Sequence, residues 1–147
     1  MRRVLSILGV VMLVLIVAVG VGIGLAFYNG RKLDAQSRAF VDRAVPAITA
    51  HWDKEQLRKL ASAELRQTLK PGELTGLFRI FSSRLGPLAK YEGAKGQANM
   101  SYMIGSGGKV SAAYVAKGLY EKGAATIRIL LVKRGGRWLI QGFHVGP

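Results

Sequence analysis

The hydrophobic and polar positions divide the chain into two unlike parts. Arg2 and Arg3 precede an uncharged run of 25 residues, Val4 to Tyr28, dominated by Val, Leu, Ile, Gly and Ala. A helix needs about 20 apolar residues to cross a bilayer core. The apolar region of a secretory leader is only about 7–15 residues long. The run therefore predicts a transmembrane anchor over residues 1–30, in lipid contact through residues 4–28. Gly24-Leu25-Ala26 supplies a small-x-small site for the competing reading, a cleaved leader. After Asn29-Gly30 polar and apolar positions mix, and residues 31–147 read as a folded domain.

Three helical patterns come first. Between Leu33 and Ala50, Phe40, Val41, Ala44, Val45 and Ile48 recur at steps of three and four, with Pro46 expected to kink or interrupt the helix. A second helix is expected to start at Asp53 as N-cap. Gln56 would be its capping-box partner, and Trp52 with Leu57 its hydrophobic staple. It carries Leu57 and Leu60, and a further turn runs through Ala63 to Leu69. Pro71 and Glu73 suit the first turn of a third helix. Its stripe is Leu74, Leu77, Phe78, Phe81 and Leu85, and Gly86-Pro87 ends it.

The period then changes to two. Met100, Tyr102 and Ile104 share one strand face, with Asn99 and Ser101 on the other. Gly105 to Lys109 is a Gly-rich turn, and Val110 to Tyr120 a second strand. Lys122-Gly123 is a turn, and Ala124 to Lys133 a third strand with Ile127, Ile129 and Leu131 on one side. Gly135-Gly136 suits a two-residue hairpin before a last strand, Arg137 to Val145. Short connections make these strands antiparallel neighbours. The expected fold is α+β: an N-terminal transmembrane helix, then about three helices packed on one face of a curved antiparallel sheet of about four strands.

Composition narrows the chemistry. The 147 residues include no Cys and 2 His, so disulfides, thiolate nucleophiles and Cys- or His-rich metal centres are excluded. No cofactor is implied. Lys plus Arg number 22 against 8 Asp plus Glu, a net charge of +14. Without Arg2 and Arg3, 20 basic residues face the 8 acidic ones, leaving +12 on the remainder. Such charge favours anionic partners such as lipid headgroups, envelope polymers or an acidic protein face. Nucleic acid is disfavoured, since there is no recognised binding module and no interleaving of aromatic and basic residues.

The very short N-terminal tail, with its basic pair against the apolar run, is the arrangement of a signal anchor. It predicts a single-pass inner (plasma) membrane protein with its C-terminal domain outside the cytoplasm, in the periplasm. Ala18, Gly22 and Ala26 fall at four-residue spacing, as do Gly20 and Gly24. Small residues at this spacing let helices approach in lipid, which would suit a homo-oligomer or a place in an envelope complex.

Candidate catalytic groups are few. His144, near the end of the last strand, is the best single candidate for a base, although a lone His there is more often a satisfied polar residue. His51 and Asp53 sit at a helix start, where capping is the ordinary role. Glu92 and Glu121 lie near turns and read as solvated charges. No Ser-His-Asp set and no converging carboxylate pair is evident. Gly105 to Lys109 fails the phosphate-loop pattern, because Met103 and Val110 stand where Gly and Ser or Thr are required. Asn99-Met100-Ser101 matches a glycosylation sequon with no supporting context. Tyr102, Tyr114 and Trp138 are amphipathic residues on predicted strands. With His144 they could line a pocket mouth, whereas the ordinary reading is a core residue with a polar tip.

The stretch from Gly118 to Val145 carries a resemblance. It runs Gly-Leu-Tyr-Glu-Lys-Gly, Ala-Thr-Ile-Arg-Ile-Leu-Leu-Val-Lys and, after Arg134, Gly-Gly-Arg-Trp-Leu-Ile-Gln-Gly-Phe-His-Val. A strand ending in a basic residue, a Gly turn and then Trp resembles the nuclear-transport-factor-two-like (cystatin-like) cone superfamily, over roughly residues 33–147. The resemblance implies a cone-shaped α+β domain of the kind found in small bacterial proteins. Membrane-anchored periplasmic members include assembly components of secretion systems, and other members are enzymes such as ketosteroid isomerase. The expectation is a non-catalytic anchored domain that binds a partner or supports an envelope complex. The alternative is a small-molecule-binding or isomerase/dehydratase-like protein using the cone pocket.

Overall fold

The computed structural model describes residues 2–103 and 107–147, without the side chains of 2, 26–29, 102, 103 and 107. Ile104, Gly105 and Ser106, within the expected Gly-rich turn, lie outside the described residues, as do the side chains of Tyr102 and Ala26. The chain forms two compact units, Met1–Leu33 and Asp34–Pro147. The elements are α1 (Arg2–Thr49), α2 (Lys54–Leu60), α3 (Ala63–Thr68), α4 (Pro71–Leu85), β1 (Leu88–Met103), β2 (Gly107–Tyr120), β3 (Gly123–Arg134) and β4 (Arg137–Gly146).

The first unit is the apolar part of α1. The helix is long and apolar enough to cross a membrane, and none of its most apolar stretch is buried. The composition changes after Asn29-Gly30 and Pro46 is expected to kink or interrupt a helix, yet α1 runs through both positions. Gly costs about 1 kcal/mol relative to Ala in a helix, yet it keeps the backbone donor that Pro lacks. Pro46 removes only the bond to the carbonyl of Asp42. That residue is exposed, so water can replace the lost donor. Ala50 N still donates to Pro46 O at 2.9 Å.

The second unit is α+β: an open four-stranded antiparallel sheet in the order β1-β2-β3-β4 with helices against one face. Alternation decides which residues point inward. Tyr114 and Ala116 of β2, Ile127, Ile129 and Leu131 of β3, and Ile140 of β4 are buried in one cluster. Val41, Val45 and Ile48 of α1, Leu57 of α2, Leu65 of α3, and Leu74 and Phe78 of α4 belong to the same cluster. Each large aliphatic side chain so buried contributes about 1.5–3 kcal/mol. At Leu130/Leu131 a register shift against β4 interrupts the alternation, and both Leu131 and Val132 are buried. Leu77, expected on the buried stripe of α4, is 43% exposed, while Leu74 and Phe78 carry the contact.

Polar ties fasten α1 to the sheet. Tyr114 OH lies 2.6 Å from Ser37 Oγ and donates to Asp34 O at 3.1 Å. Ala98 N donates to Asp34 Oδ1 at 2.7 Å, and Tyr91 OH to Asp42 Oδ1 at 2.7 Å. Burial, reinforced by the Asp42 carboxylate, pushes the Tyr91 phenol well above its ordinary value. Gly96 pairs with Tyr114, and a Cβ there would collide with the Ala113 carbonyl.

The joint between α1 and α2 turns on Trp52. It is the one non-Gly residue with positive φ among those described, at 52°. Asp53 N donates to Ile48 O at 2.8 Å, a helix ending that usually places Gly in that conformation. The indole compensates for the strain. Its Nε1 donates to Gly86 O at 2.7 Å, and its ring stacks on Tyr120 at 5.4 Å and packs on Phe78 and Phe81. Asp53 caps α2 as expected, through Glu55 N at 3.0 Å. The further turn expected through Ala63 to Leu69 is α3, set off from α2 at Ala61-Ser62. There Ala61 bridges Ile140, Ser62 N donates to Ile140 O at 2.7 Å, and Ser62 Oγ caps α3.

Tyr114→Phe is expected to destabilise the domain by about 1–2 kcal/mol while keeping the core ring. Gly96→Ala is expected to cost about 1–3 kcal/mol through overpacking. Denaturant unfolding of the full chain in detergent, followed by tryptophan fluorescence, measures both.

Candidate functional site

The β3–β4 hairpin is the starting point. Gly135 and Gly136 both have positive φ, 57° and 74°, and close a two-residue turn. The register then places Lys133 opposite Trp138 and Arg134 opposite Arg137. Directly opposed like charges destabilise a strand pair. Glu64 of α3 relieves this one by accepting a hydrogen bond from Arg134 Nη1. That bond holds the Glu64 carboxyl down to about 2, and both partners are exposed. Arg137 has no carboxylate partner among the ion pairs of the described residues.

Arg137 lines an open hollow of about 470 Å³. Helix α1 contributes Gln36, Ala39, Phe40 and Arg43, one face at steps of three, one and three. The last turn of α2 contributes Lys59 and Leu60, and the hairpin contributes Lys133 and Gly136 to Leu139. Arg43, Lys59, Lys133 and Arg137 thus surround one space, and no Asp or Glu lines it. Among the described residues the ion pairs are Arg58–Glu55 and Arg134–Glu64, neither involving these four cations. Lys133 Nζ lies 5.7 Å from the Trp138 ring centroid and donates to Gln36 Oε1 at 3.4 Å. Trp138 Nε1 is buried and has no hydrogen-bond partner. A second hollow of about 330 Å³ shares Phe40, Arg43 and Leu60 and adds Ala44 and Ala47, giving the basic space an apolar neighbour.

A concave surface carrying one sign of charge concentrates its field on the enclosed space. The hollow offers cations and the walls of Phe40, Leu60 and Trp138. No His, Asp, Glu, Ser or Tyr stands in its lining.

Of the four residues proposed for a pocket mouth, the three with described side chains lie apart. Tyr114 is 2% exposed in the core, hydrogen-bonded to Ser37. Trp138 lines the basic hollow. His144 is exposed and pairs with Arg128 on the sheet face that the helices leave open. The Tyr102 side chain lies outside the described residues. In the apolar helix Ala18 is exposed, and nothing lies within 4 Å of where a Cβ on Gly20, Gly22 or Gly24 would stand. His51 and Asp53 line a separate hollow with Lys54, Glu55 and Arg79. Among the described residues, no three His, Asp or Glu side chains are placed to hold a metal ion.

Sequence reasoning missed Gln36, Arg43, Lys59, Lys133 and Arg137 as a group. They come from three segments far apart in the chain, so no local spacing unites them. The available signal was the cluster of Lys133, Arg134 and Arg137 around the Gly-Gly turn. Compared with protein-family models, with curated proteins and with solved structures, the chain matches none.

In Arg134→Gln the Glu64 carboxyl, freed of its main partner, is expected to titrate above about 2, shifted toward the ordinary value of 4.5. Because the folded value is the lower one, the stabilisation from this pair is present above about pH 4.5 and is lost as pH falls toward 2. Carboxyl-carbon NMR titration of the two proteins reads the difference directly.

Proposed function

We propose that this chain is a single-pass membrane-anchored domain, held in the inner membrane with Asp34–Pro147 outside the cytoplasm. There it binds an anionic partner or supports an envelope complex without catalysing a reaction. The observation that carries this reading is the run from Val4 to Leu25, whose large apolar side chains are 51–68% exposed along the helix. Exposed apolar surface on that scale calls for a non-aqueous environment. The basic pair at residues 2–3 supports the orientation. The binding role is supported by the cation-lined hollow and by an inner sheet face filled with Tyr114, Ile127, Ile129 and Leu131 in place of a polar cavity. Helices on one face of an antiparallel meander are compatible with a cone-type domain, and that kinship is part of the proposal.

A reporter active only outside the cytoplasm, fused after Pro147, is expected to be active. The uncleaved fusion should stay with the membrane fraction after carbonate extraction. An intact, membrane-bound but inactive fusion would overturn the orientation and place the basic domain at the cytoplasmic leaflet. Leu15→Arg puts a charge mid-helix at an insertion cost of about 2.5–3.5 kcal/mol. It is expected to raise the extractable fraction markedly.

A further inference from the structure

We propose that the hollow between α1, α2 and the β3–β4 turn is a binding site for the phosphate headgroup of an anionic phospholipid. Three independent features converge on that ligand. The first is charge: Arg43, Lys59, Lys133 and Arg137 line one space without a carboxylate among them. An anion there removes mutual repulsion that the protein itself leaves uncompensated. The second is the buried Trp138 Nε1 donor, which has no partner. A buried N–H without an acceptor is costly, so a small rotation of the indole that brings Nε1 to a phosphate oxygen in the hollow is favourable. The third is shape: Phe40, Arg43 and Leu60 also border the adjoining space lined by Ala44 and Ala47. A ligand with an anionic head and an apolar continuation uses both spaces, whereas free phosphate uses only the first. The arginines provide planar forks for phosphate oxygens, and Lys59 a point charge.

The choice of a lipid over a soluble phosphate compound rests on the anchor proposed above, since a domain tethered to a bilayer meets headgroups at high effective concentration. The anion site itself does not depend on the anchor. It also does not depend on sidedness, because a nanodisc presents the same lipid on both faces.

The test uses the full chain, labelled with 15N at tryptophan, in phosphatidylcholine nanodiscs. The protein has two tryptophans and hence two indole N–H resonances. That of Trp52, bonded to Gly86 O in the core, is the internal control for folding. Raising the phosphatidylglycerol fraction is expected to shift the Trp138 resonance saturably and leave that of Trp52 in place. The double variant Lys59→Gln/Arg137→Gln is expected to weaken the response at least about tenfold, a loss of about 1.4 kcal/mol. Lys95→Gln/Lys117→Gln removes the same charge from the sheet's other face and is expected to change it less than about twofold.

In a second arm, glycerol phosphate is added to phosphatidylcholine discs. A saturable Trp138 shift there, with none from phosphatidylglycerol, keeps the anion site and overturns the lipid assignment. A Trp138 resonance unmoved in both arms, or equal weakening by the two double variants, overturns the site. A chain that fails to enter nanodiscs refutes the anchor instead, and the glycerol phosphate arm in solution then decides the site.

Discussion

The domain depends on one fastening, the hydrogen-bond cluster that joins Asp34 and Ser37 of α1 to Tyr114 of β2 and Ala98 of β1. An apolar helix face packs on a sheet almost as well in several registers, because hydrophobic contact has no direction. The buried tyrosine hydroxyl removes that freedom, since misplacing it would leave a polar group unsatisfied in the core. With Asp34 held, the residues of α1 up to Thr49 are fixed along the sheet, and the start of α2 follows through Trp52. The face of α1 bearing Gln36, Phe40 and Arg43 is thereby set beside the β3–β4 turn.

The same fastening shapes the electrostatics. Few of the 8 acidic residues remain to balance the cations. Asp34 and Asp42 accept hydrogen bonds from β1, Asp53 caps α2, and Glu55 and Glu64 pair with Arg58 and Arg134. These carboxylates serve local structure away from the hollow. The four cations around it are consequently concentrated without a counter-charge, although the basic residues look evenly scattered in the sequence. The positive charge of the hollow follows from where the acids are engaged as much as from where the cations lie.

Much of the fold was legible because it rests on local rules. The Gly-Gly turn, the Pro71 and Gly86 limits of α4, the Asp53 cap and the alternation of Ile127, Ile129 and Leu131 each follow from neighbours in sequence. The long start of β1 was not legible. Residues 88–98 show little alternation and are strand because β2 offers them partners from Tyr120 to Ala112, with irregular register near Gly93. The cause of the step between α2 and α3 is also non-local, since Ser62 leaves the helix to bond the backbone of Ile140. The roles of Asp34 and Asp42 leave no local sign in the sequence. Their partners, Ala98 and Tyr91, lie far along the chain.

The sequence by itself determined the apolar 25-residue run, the order of helices before strands, the positions of the tight turns and the strongly basic balance. These are properties of composition and of residues within one or two turns of each other, where steric preference and periodicity act. Only the tertiary structure decided that Tyr114 is a core residue tied to Ser37, that His144 faces away from the helices, and that Trp138 shares a space with Arg43, Lys59 and Arg137. Those outcomes depend on which strand face meets which helix. Such pairings join residues up to a hundred positions apart, through interactions that leave no local pattern.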